Sequence, residues 1–132
     1  MFKKLFFIGL LLTATTSFAE PCPTIAEIKA GFWHGWQPLN LDSGSLISPS
    51  ALAYFKNNVQ NFALAEWMKD APEGEAHCYY NGDDKKDNTY LGVFLTKENL
   101  TADTTSLAWH KLNKNILQCR ISLQTCQFIT TK

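Results

Sequence analysis

The sequence predicts an α+β domain in which a small antiparallel sheet carries one or two short helices and two disulfides staple the chain. Three observations predict this fold. Four cysteines follow a segment that resembles an export signal. Two stretches after that signal begin with helix-capping residues. Most of the remaining chain consists of short β-type runs separated by turn residues, an order typical of an antiparallel sheet with helices packed on it.

Residues 1–19 have the layout of a bacterial secretory signal peptide. A short basic start precedes an eight-residue apolar run, Leu5–Leu12, and the segment ends with small residues at Ser17 and Ala19. Eight apolar residues are far fewer than the roughly 20 that a membrane-spanning helix needs. We therefore expect cleavage after Ala19 and a single soluble domain, residues 20–132, in the periplasm or secreted from the cell.

The size and charge of this mature domain restrict its partners. Removing 19 of the 132 residues leaves 113, a length that can bury one modest core. Two lysines leave with the signal, so 10 basic and 12 acidic side chains remain and the net charge is about −2. Because no basic surplus remains to attract nucleic acid or anionic lipid, we expect no nucleic-acid partner. We also expect no membrane span in the mature protein.

Four cysteines lie in the mature part: Cys22, Cys78, Cys119 and Cys126. An even number of cysteines in an oxidising compartment is typical of two disulfides. Three connectivities are possible, and the sequence excludes none of them. We favour the pair Cys119 and Cys126, because the six residues between them suit a hairpin or a tight loop. That choice leaves Cys22 to join Cys78.

The first predicted element is a short helix over residues 25–30. Thr24 and Glu27 have the spacing of a capping box, which satisfies two backbone N–H groups at a helix start. Gly31 follows the helix at the position where a left-handed residue commonly ends it.

A second helix is predicted over residues 50–58, followed by strands. Ser48 can cap this helix, Pro49 suits its first turn, and apolar residues recur three and four positions apart along it. Alternating patterns then predict strands at residues 62–68, 76–80, 90–96, 107–112, 116–121 and 127–130. Turns are predicted at Gly74, at residues 81–82 and in the charged run 83–87.

The segment Phe32–Trp36 places three aromatic side chains and an imidazole within five residues. We expect residues 32–39 to be extended, so that Trp33 and Trp36 point to opposite faces of a strand. On this interpretation Trp36 lies in the core. Trp33 is exposed and, together with His34, is the candidate binding site, because an indole tolerates a partly hydrated interface.

The remaining polar residues match no catalytic or metal-binding motif. His34, His77 and His110 lack the two- to four-residue ligand spacing of zinc sites, and Cys78, next to His77, is expected to be bridged. The oxygen-rich segment 81–88 lacks the glutamate that ends a calcium loop, so we interpret it as a solvated turn. The chain has no Gly-x-Ser-x-Gly or Ser-x-x-Lys motif. We predict no catalytic residue, no metal and no cofactor.

Several short motifs resemble those of short exported proteins of unknown function from Gram-negative bacteria, including intracellular parasites. These motifs are Cys22-Pro23, Gly35-Trp36, Cys78-Tyr79-Tyr80, Cys119 and Cys126-Gln127-Phe128. The resemblance spans nearly the whole mature chain and implies a disulfide scaffold, but no activity and no site residue.

These observations favour a non-enzymatic interaction module of the periplasm or the secreted fraction. We expect it to recognise a protein or a cell-envelope component through the aromatic segment, for example as an accessory subunit of an envelope secretion assembly. The alternative is a small hydrolase acting on envelope polymers, which only scattered carboxylates and histidines support.

Overall fold

The computed structural model describes residues 18–71, 74–82 and 90–131. It shows a mixed α+β fold with antiparallel sheets and two disulfides, as the sequence predicted. Residues 1–17 of the predicted signal peptide and the predicted turn 83–87 lie outside the described residues. The described elements are β1 (Ala19–Pro21), α1 (Ile25–Ala30), β2 (Gln37–Asn40), α2 (Pro49–Asn58), β3 (Asn61–Met68), β4 (Glu75–Asn81), β5 (Tyr90–Glu98), β6 (Leu100–Ala102), β7 (His110–Asn113), β8 (Ile116–Cys119) and β9 (Gln127–Thr130).

Helix α1 has both of its predicted caps. The Thr24 hydroxyl accepts from the backbone N–H of Glu27 at 3.1 Å, and the Glu27 carboxylate accepts from the backbone N–H of Thr24 at 2.9 Å. Gly31 ends the helix in the left-handed conformation, with φ +78°, and its N–H donates to the carbonyl of Ile28. These contacts confirm the capping box and the glycine end cap.

Helix α2 starts at Pro49, one residue earlier than predicted. The Ser48 hydroxyl accepts from the backbone N–H of Ala51 at 3.2 Å, and the proline ring suits the first helical position, where no N–H is needed. The helix buries Phe55 completely. It ends at Asn58 and is capped by Val59, whose N–H donates to the carbonyl of Phe55.

The main sheet has six strands in the order β2-β5-β4-β3-β8-β7, and every neighbouring pair is antiparallel. The predicted strands at 62–68, 76–80, 90–96 and 116–121 are confirmed, with ends that shift by a few residues. The strand predicted at 107–112 begins only at His110. The residues before it form a turn, in which the N–H of Ala108 donates to the Ser106 hydroxyl at 3.2 Å.

A second sheet has three strands in the order β1-β9-β6. Strand β9 confirms the prediction at 127–130. The sequence did not reveal β1 and β6, because three residues are too few to show an alternating pattern. Phe128 is at the centre of this sheet, in register with Glu20 on one side and Ala102 on the other, and it is fully buried.

One core joins the two sheets and both helices. It includes Ile28 of α1, Phe55 of α2, Leu95 of β5 and Phe128 of β9. The disulfides Cys22–Cys78 and Cys119–Cys126 lie in this core with all four sulfur-bearing residues buried, and they confirm the favoured connectivity. Over the described ranges, neither helix has the length and apolar character needed to cross a bilayer.

Candidate functional site

The aromatic segment folds as a tight turn, which we call the aromatic turn (Phe32–Trp36). The backbone N–H of Trp36 donates to the carbonyl of Trp33 at 2.8 Å. Between them, His34 and Gly35 both have positive φ, at +50° and +84°. The prediction that residues 32–39 are extended is therefore wrong for residues 32–36, while residues 37–39 lie in strand β2 as predicted. Two consecutive left-handed residues reverse the chain, and glycine adopts this conformation at little cost.

Both indoles of the aromatic turn anchor it to the core. Trp36 is 3 % exposed and contacts Phe128 at a ring distance of 5.8 Å, which confirms that Trp36 is a core residue. Trp33 is half-buried rather than exposed, because its ring stacks on Phe55 at 6.3 Å with an interplanar angle of 22°. The expected division into one buried and one exposed tryptophan is corrected: the turn, unlike a strand, brings both rings to the core. A binding role for Trp33 stays a prediction.

The outward side chains of the turn are Phe32 and His34. Phe32 is 66 % exposed, and the side chain of His34 is 59 % exposed. An apolar ring and an imidazole therefore project from a backbone that the buried Trp36 and the half-buried Trp33 hold in place.

Glu27 fixes the orientation of His34. The imidazole Nε2 donates to the carboxylate oxygen Oε2 of Glu27, whose other oxygen is part of the α1 capping box. The backbone N–H of Thr24 lowers the pKa of Glu27 most. Burial opposes this effect, and hydrogen bonds from the Thr24 side chain and from His34 add to it. Glu27 is therefore ionised at neutral pH and available to orient the imidazole.

Lys97 of β5 binds the backbone of the aromatic turn. Its ammonium donates to the carbonyl of His34 at 2.7 Å and forms an ion pair with Glu20. A side chain at Gly35 would meet the Lys97 Cε and Nζ atoms at 3.3 Å, so a larger residue would crowd this contact. A pocket of about 320 Å³ lies here, lined by Glu20, Pro21, Pro23, Glu27, His34 and Trp36.

The face of the six-stranded sheet that points away from the core carries a continuous line of polar side chains, which we call the polar row. Adjacent strands in register contribute, in sheet order, Gln37, Thr96, His77, Glu66, Gln118 and His110. Because side chains alternate along a strand, His77 points away from the core while its neighbours Ala76 and Cys78 point into it. His77 and Thr96 are each only 8 % exposed, so the middle of the row is shielded from solvent.

His77 is the centre of this row and contacts acidic groups on two sides. Its Nε2 donates to Oε1 of Glu75 at 2.8 Å. Its Nδ1 lies 3.2 Å from the Tyr79 hydroxyl and 3.8 Å from Oε1 of Glu66. The other oxygen of Glu66 accepts from the Gln118 side-chain amide at 2.8 Å. The imidazole is thus held by partners at both ring nitrogens.

Glu75 links the polar row to a second pocket. Its Oε1 also accepts from the Thr96 hydroxyl at 2.9 Å. Burial raises the pKa of Glu75, but hydrogen bonds from His77 and Thr96 and attraction to His77 together outweigh it, so the net pKa is lowered. The second pocket, which we call the outer pocket, measures about 430 Å³ and is lined by Gly35, Gln37, Leu39, Glu75, Thr96, Lys97, Glu98 and Asn99.

The three histidines do not form one site. His77 and His110 share the polar row but lie three strand spacings apart, which is roughly 14 Å. His34 belongs to the aromatic turn. Across the part of the chain that the structure describes, no three His, Cys, Asp or Glu side chains are placed to hold a metal ion.

The polar row also lacks the usual arrangement of a serine-type hydrolase. Such a site needs a hydroxyl bonded to an imidazole that a carboxylate orients. Thr96 donates to the carboxylate of Glu75 and not to His77, so the imidazole cannot take its proton. Within the described ranges, the hydroxyl that His77 contacts is the phenol of Tyr79, 3.2 Å from Nδ1.

Sequence reasoning missed the grouping of Glu66, Glu75 and His77. The available signal was the strict alternation from Glu75 to Tyr80, in which Glu, His and Tyr share one face while Ala, Cys and Tyr share the other. The pairing of Glu66 with His77 depends on strand register, which the sequence alone does not give.

Comparison with known proteins adds no relative. The chain matches no family model, no curated protein and no solved structure at a significant level. The resemblance to short exported proteins therefore stays an expectation.

Proposed function

We propose that the mature domain is a non-enzymatic binding module that recognises a protein or a cell-envelope component through the aromatic turn. The observation that carries this proposal is that the turn has exposed side chains, while its two tryptophans pack against the core. Phe32 and His34 project into solvent, while Trp33 stacks on Phe55 and Trp36 is buried.

Rigidity makes this turn suitable for recognition. Binding orders side chains and loops at a cost in entropy, and a surface that is already ordered avoids much of that cost. Here the Glu27 carboxylate orients the imidazole of His34, and the Lys97 ammonium binds its carbonyl. Aromatic residues with fixed surroundings are typical of the few positions that dominate binding energy.

The proposed location is the periplasm or the exterior of the cell. Two disulfides in the described part of the chain are consistent with an oxidising compartment. We also propose that the signal is cleaved after Ala19. Cleavage there would leave Glu20, which binds Lys97, at the start of the mature chain. A role as an accessory subunit of an envelope secretion assembly would fit a small module of this kind.

Capture of partners from the cell envelope tests the binding proposal. We expect Phe32→Ala to weaken capture about tenfold or more while the melting temperature stays nearly unchanged, as for an exposed hot spot. Leu107→Ala is the matched control, because Leu107 is an apolar side chain that is 95 % exposed elsewhere on the surface. Equal capture by both variants and the parent protein would refute recognition through the aromatic turn.

A second candidate function is a small hydrolase acting on envelope polymers. One observation favours it: Tyr79, His77 and Glu75 form a hydroxyl–imidazole–carboxylate chain with distances of 3.2 and 2.8 Å. Of these three residues, only Glu75 lines the outer pocket, so the binding function has the better support. Turnover of an envelope polymer that Tyr79→Phe abolishes would reverse this preference.

A further inference from the structure

Phe32 occupies a position at which helix ends commonly pack an apolar side chain. Its backbone N–H donates to the carbonyl of Glu27 at 2.9 Å, and the N–H of Gly31 donates to that of Ile28 at 3.1 Å, the two hydrogen bonds of a Schellman motif. In this motif an apolar residue at the position of Phe32 frequently packs on the last turns of the helix. Here the facing position holds the acid Glu27, and Phe32 stays 66 % exposed. The motif therefore fixes the backbone of Phe32 and leaves its side chain largely open to a partner.

Two lysines without a carboxylate partner flank Phe32. Lys29 is exposed in the last turn of α1. Lys56 of α2 reaches the same helix end, since a Cβ atom placed on Gly31 would lie 3.7 Å from its Nζ atom. Over residues 18–71, 74–82 and 90–131, neither ammonium forms an ion pair. Both charges are therefore available to a ligand that approaches Phe32.

The acids beside the aromatic turn do not offset these two cations. The Glu27 carboxylate already accepts from the His34 imidazole and from the backbone N–H of Thr24. The Glu20 carboxylate forms an ion pair with Lys97. With the imidazole counted as neutral, three ammonium groups still stand against two carboxylates, those of Lys29, Lys56 and Lys97 against those of Glu20 and Glu27. Since opposite potentials across an interface favour association, this end of α1 fits a negatively charged partner.

We propose that the aromatic turn recognises an acidic peptide segment in which carboxylates flank an apolar side chain. The apolar side chain packs on Phe32, and the carboxylates pair with Lys29 and Lys56. This inference rests on the proposed function of the turn and adds the chemistry of its partner. A peptide fits better than an anionic lipid surface, because binding to a lipid surface scales with buried apolar area and the turn presents one phenyl ring rather than a broad apolar face.

Nuclear magnetic resonance titration of the oxidised protein with three short peptides tests the preference for acidic partners. The acidic probe is an N-acetyl peptide amide with a leucine between glutamates, and the neutral and basic probes carry glutamine or lysine in place of glutamate. We expect saturable shifts of the backbone amides of Gly31, Phe32 and Trp33 with the acidic probe. Affinity for the neutral probe should be about tenfold lower, because two ion pairs of about threefold each are lost. No shifts with the acidic probe, or equal affinity for the acidic and basic probes, would overturn the proposal.

Single charge removals locate the contacts. Lys29→Gln and Lys56→Gln should each weaken binding of the acidic probe about threefold and leave binding of the neutral probe unchanged, because each lysine pairs with a carboxylate. Lys111→Gln is the matched control, because Lys111 is an exposed lysine of β7. Should one of the two variants fail to fold, the other decides. Losses no larger than that of Lys111→Gln would refute the site.

Capture of envelope partners distinguishes failure of this inference from failure of the proposed function. If Phe32→Ala lowers capture while Lys29→Gln and Lys56→Gln leave it unchanged, the turn binds a partner that is not acidic. Capture that Phe32→Ala does not change would refute the proposed function, and this inference with it. Binding to vesicles of phosphatidylglycerol and phosphatidylethanolamine that depends on both lysines, without shifts from the acidic peptide, would assign the surface to anionic lipid and overturn the proposal.

Discussion

Cys78 and Cys119 lie on opposite sides of Ala65, in register with it, on the core face of the six-stranded sheet. All three residues are fully buried. Cys78 forms a disulfide with Cys22, just before α1, and Cys119 forms the other with Cys126, just before β9. The two disulfides therefore tie both the N-terminal segment and the C-terminal strand β9 to neighbouring positions of the six-stranded sheet.

The two disulfides should contribute unequally to stability. The Cys22–Cys78 bridge spans 56 residues and Cys119–Cys126 spans seven. In the chain-entropy model, the long loop is worth about 4 kcal/mol and the short loop about 2.5 kcal/mol. Urea unfolding of the two double-alanine variants measures these losses. A short-loop variant that is the less stable of the two would contradict the entropic account.

The two anchors of the aromatic turn should also differ. Trp36→Ala empties a fully packed site and should cost about 3 to 5 kcal/mol of unfolding free energy. Trp33→Ala removes a half-buried ring that stacks on Phe55, and should cost about 1 to 2 kcal/mol. Chemical denaturation compares them. Equal losses would mean that Trp33 is as deeply packed as Trp36, against the structure.

The sequence predicted most of the fold, because the deciding signals were local. The caps at Thr24 and Gly31, the proline at the start of α2 and the alternation of the long strands all act within a few residues. The seven-residue separation of Cys119 and Cys126 is also a local signal, and it favoured the correct disulfide pairing.

The aromatic turn and the polar row were harder to predict, because they depend on contacts between distant segments. The left-handed His34 is held by Glu27 and by Lys97, which is 63 residues away. Glu66 meets His77 only through the register of β3 with β4. Neither relationship leaves a pattern within one segment. The sequence therefore predicted an extended chain for residues 32–39, which is correct only from Gln37 onwards.

The hydrogen bonds to Glu75 make stability depend on acidity. Because the folded-state pKa of Glu75 lies below its ordinary value of 4.5, the ionised carboxylate contributes stability above that pH, which is lost as the pH falls through the folded-state pKa. Glu75→Gln should therefore be less stable than the parent near neutral pH, and the difference should shrink below about pH 4.5. Thermal unfolding over this range measures it. A difference that is constant with pH would contradict the assignment.

Tyr80 should limit stability in alkali. Its ring is fully buried and its hydroxyl donates to the Pro23 carbonyl at 2.6 Å. Burial, and then the nearby charge of Glu27, raises the pKa of Tyr80 well above the ordinary value of 10.0. The neutral phenol is therefore favoured by folding, and its contribution is present below pH 10.0 and lost as the pH rises towards the folded-state pKa.

Tyr80→Phe separates this effect from simple packing. The variant loses one hydrogen bond, worth about 1 kcal/mol at neutral pH. It should lose less further stability than the parent above pH 10.0, because it has no phenol to ionise. An alkaline unfolding profile parallel to that of the parent would show that Tyr80 does not ionise on unfolding in this range.

The most direct test of the proposed binding function is site-specific photo-cross-linking in the cells that produce the protein. A benzophenone amino acid replaces Phe32 in one variant and Leu107, which is even more exposed, in the control. Because Phe32 is exposed on anchored backbone, we expect the label at position 32 to join the domain to one discrete envelope partner, which the label at position 107 does not reach. Cross-links of equal yield and identity from both positions, or none from position 32, would contradict recognition through the aromatic turn.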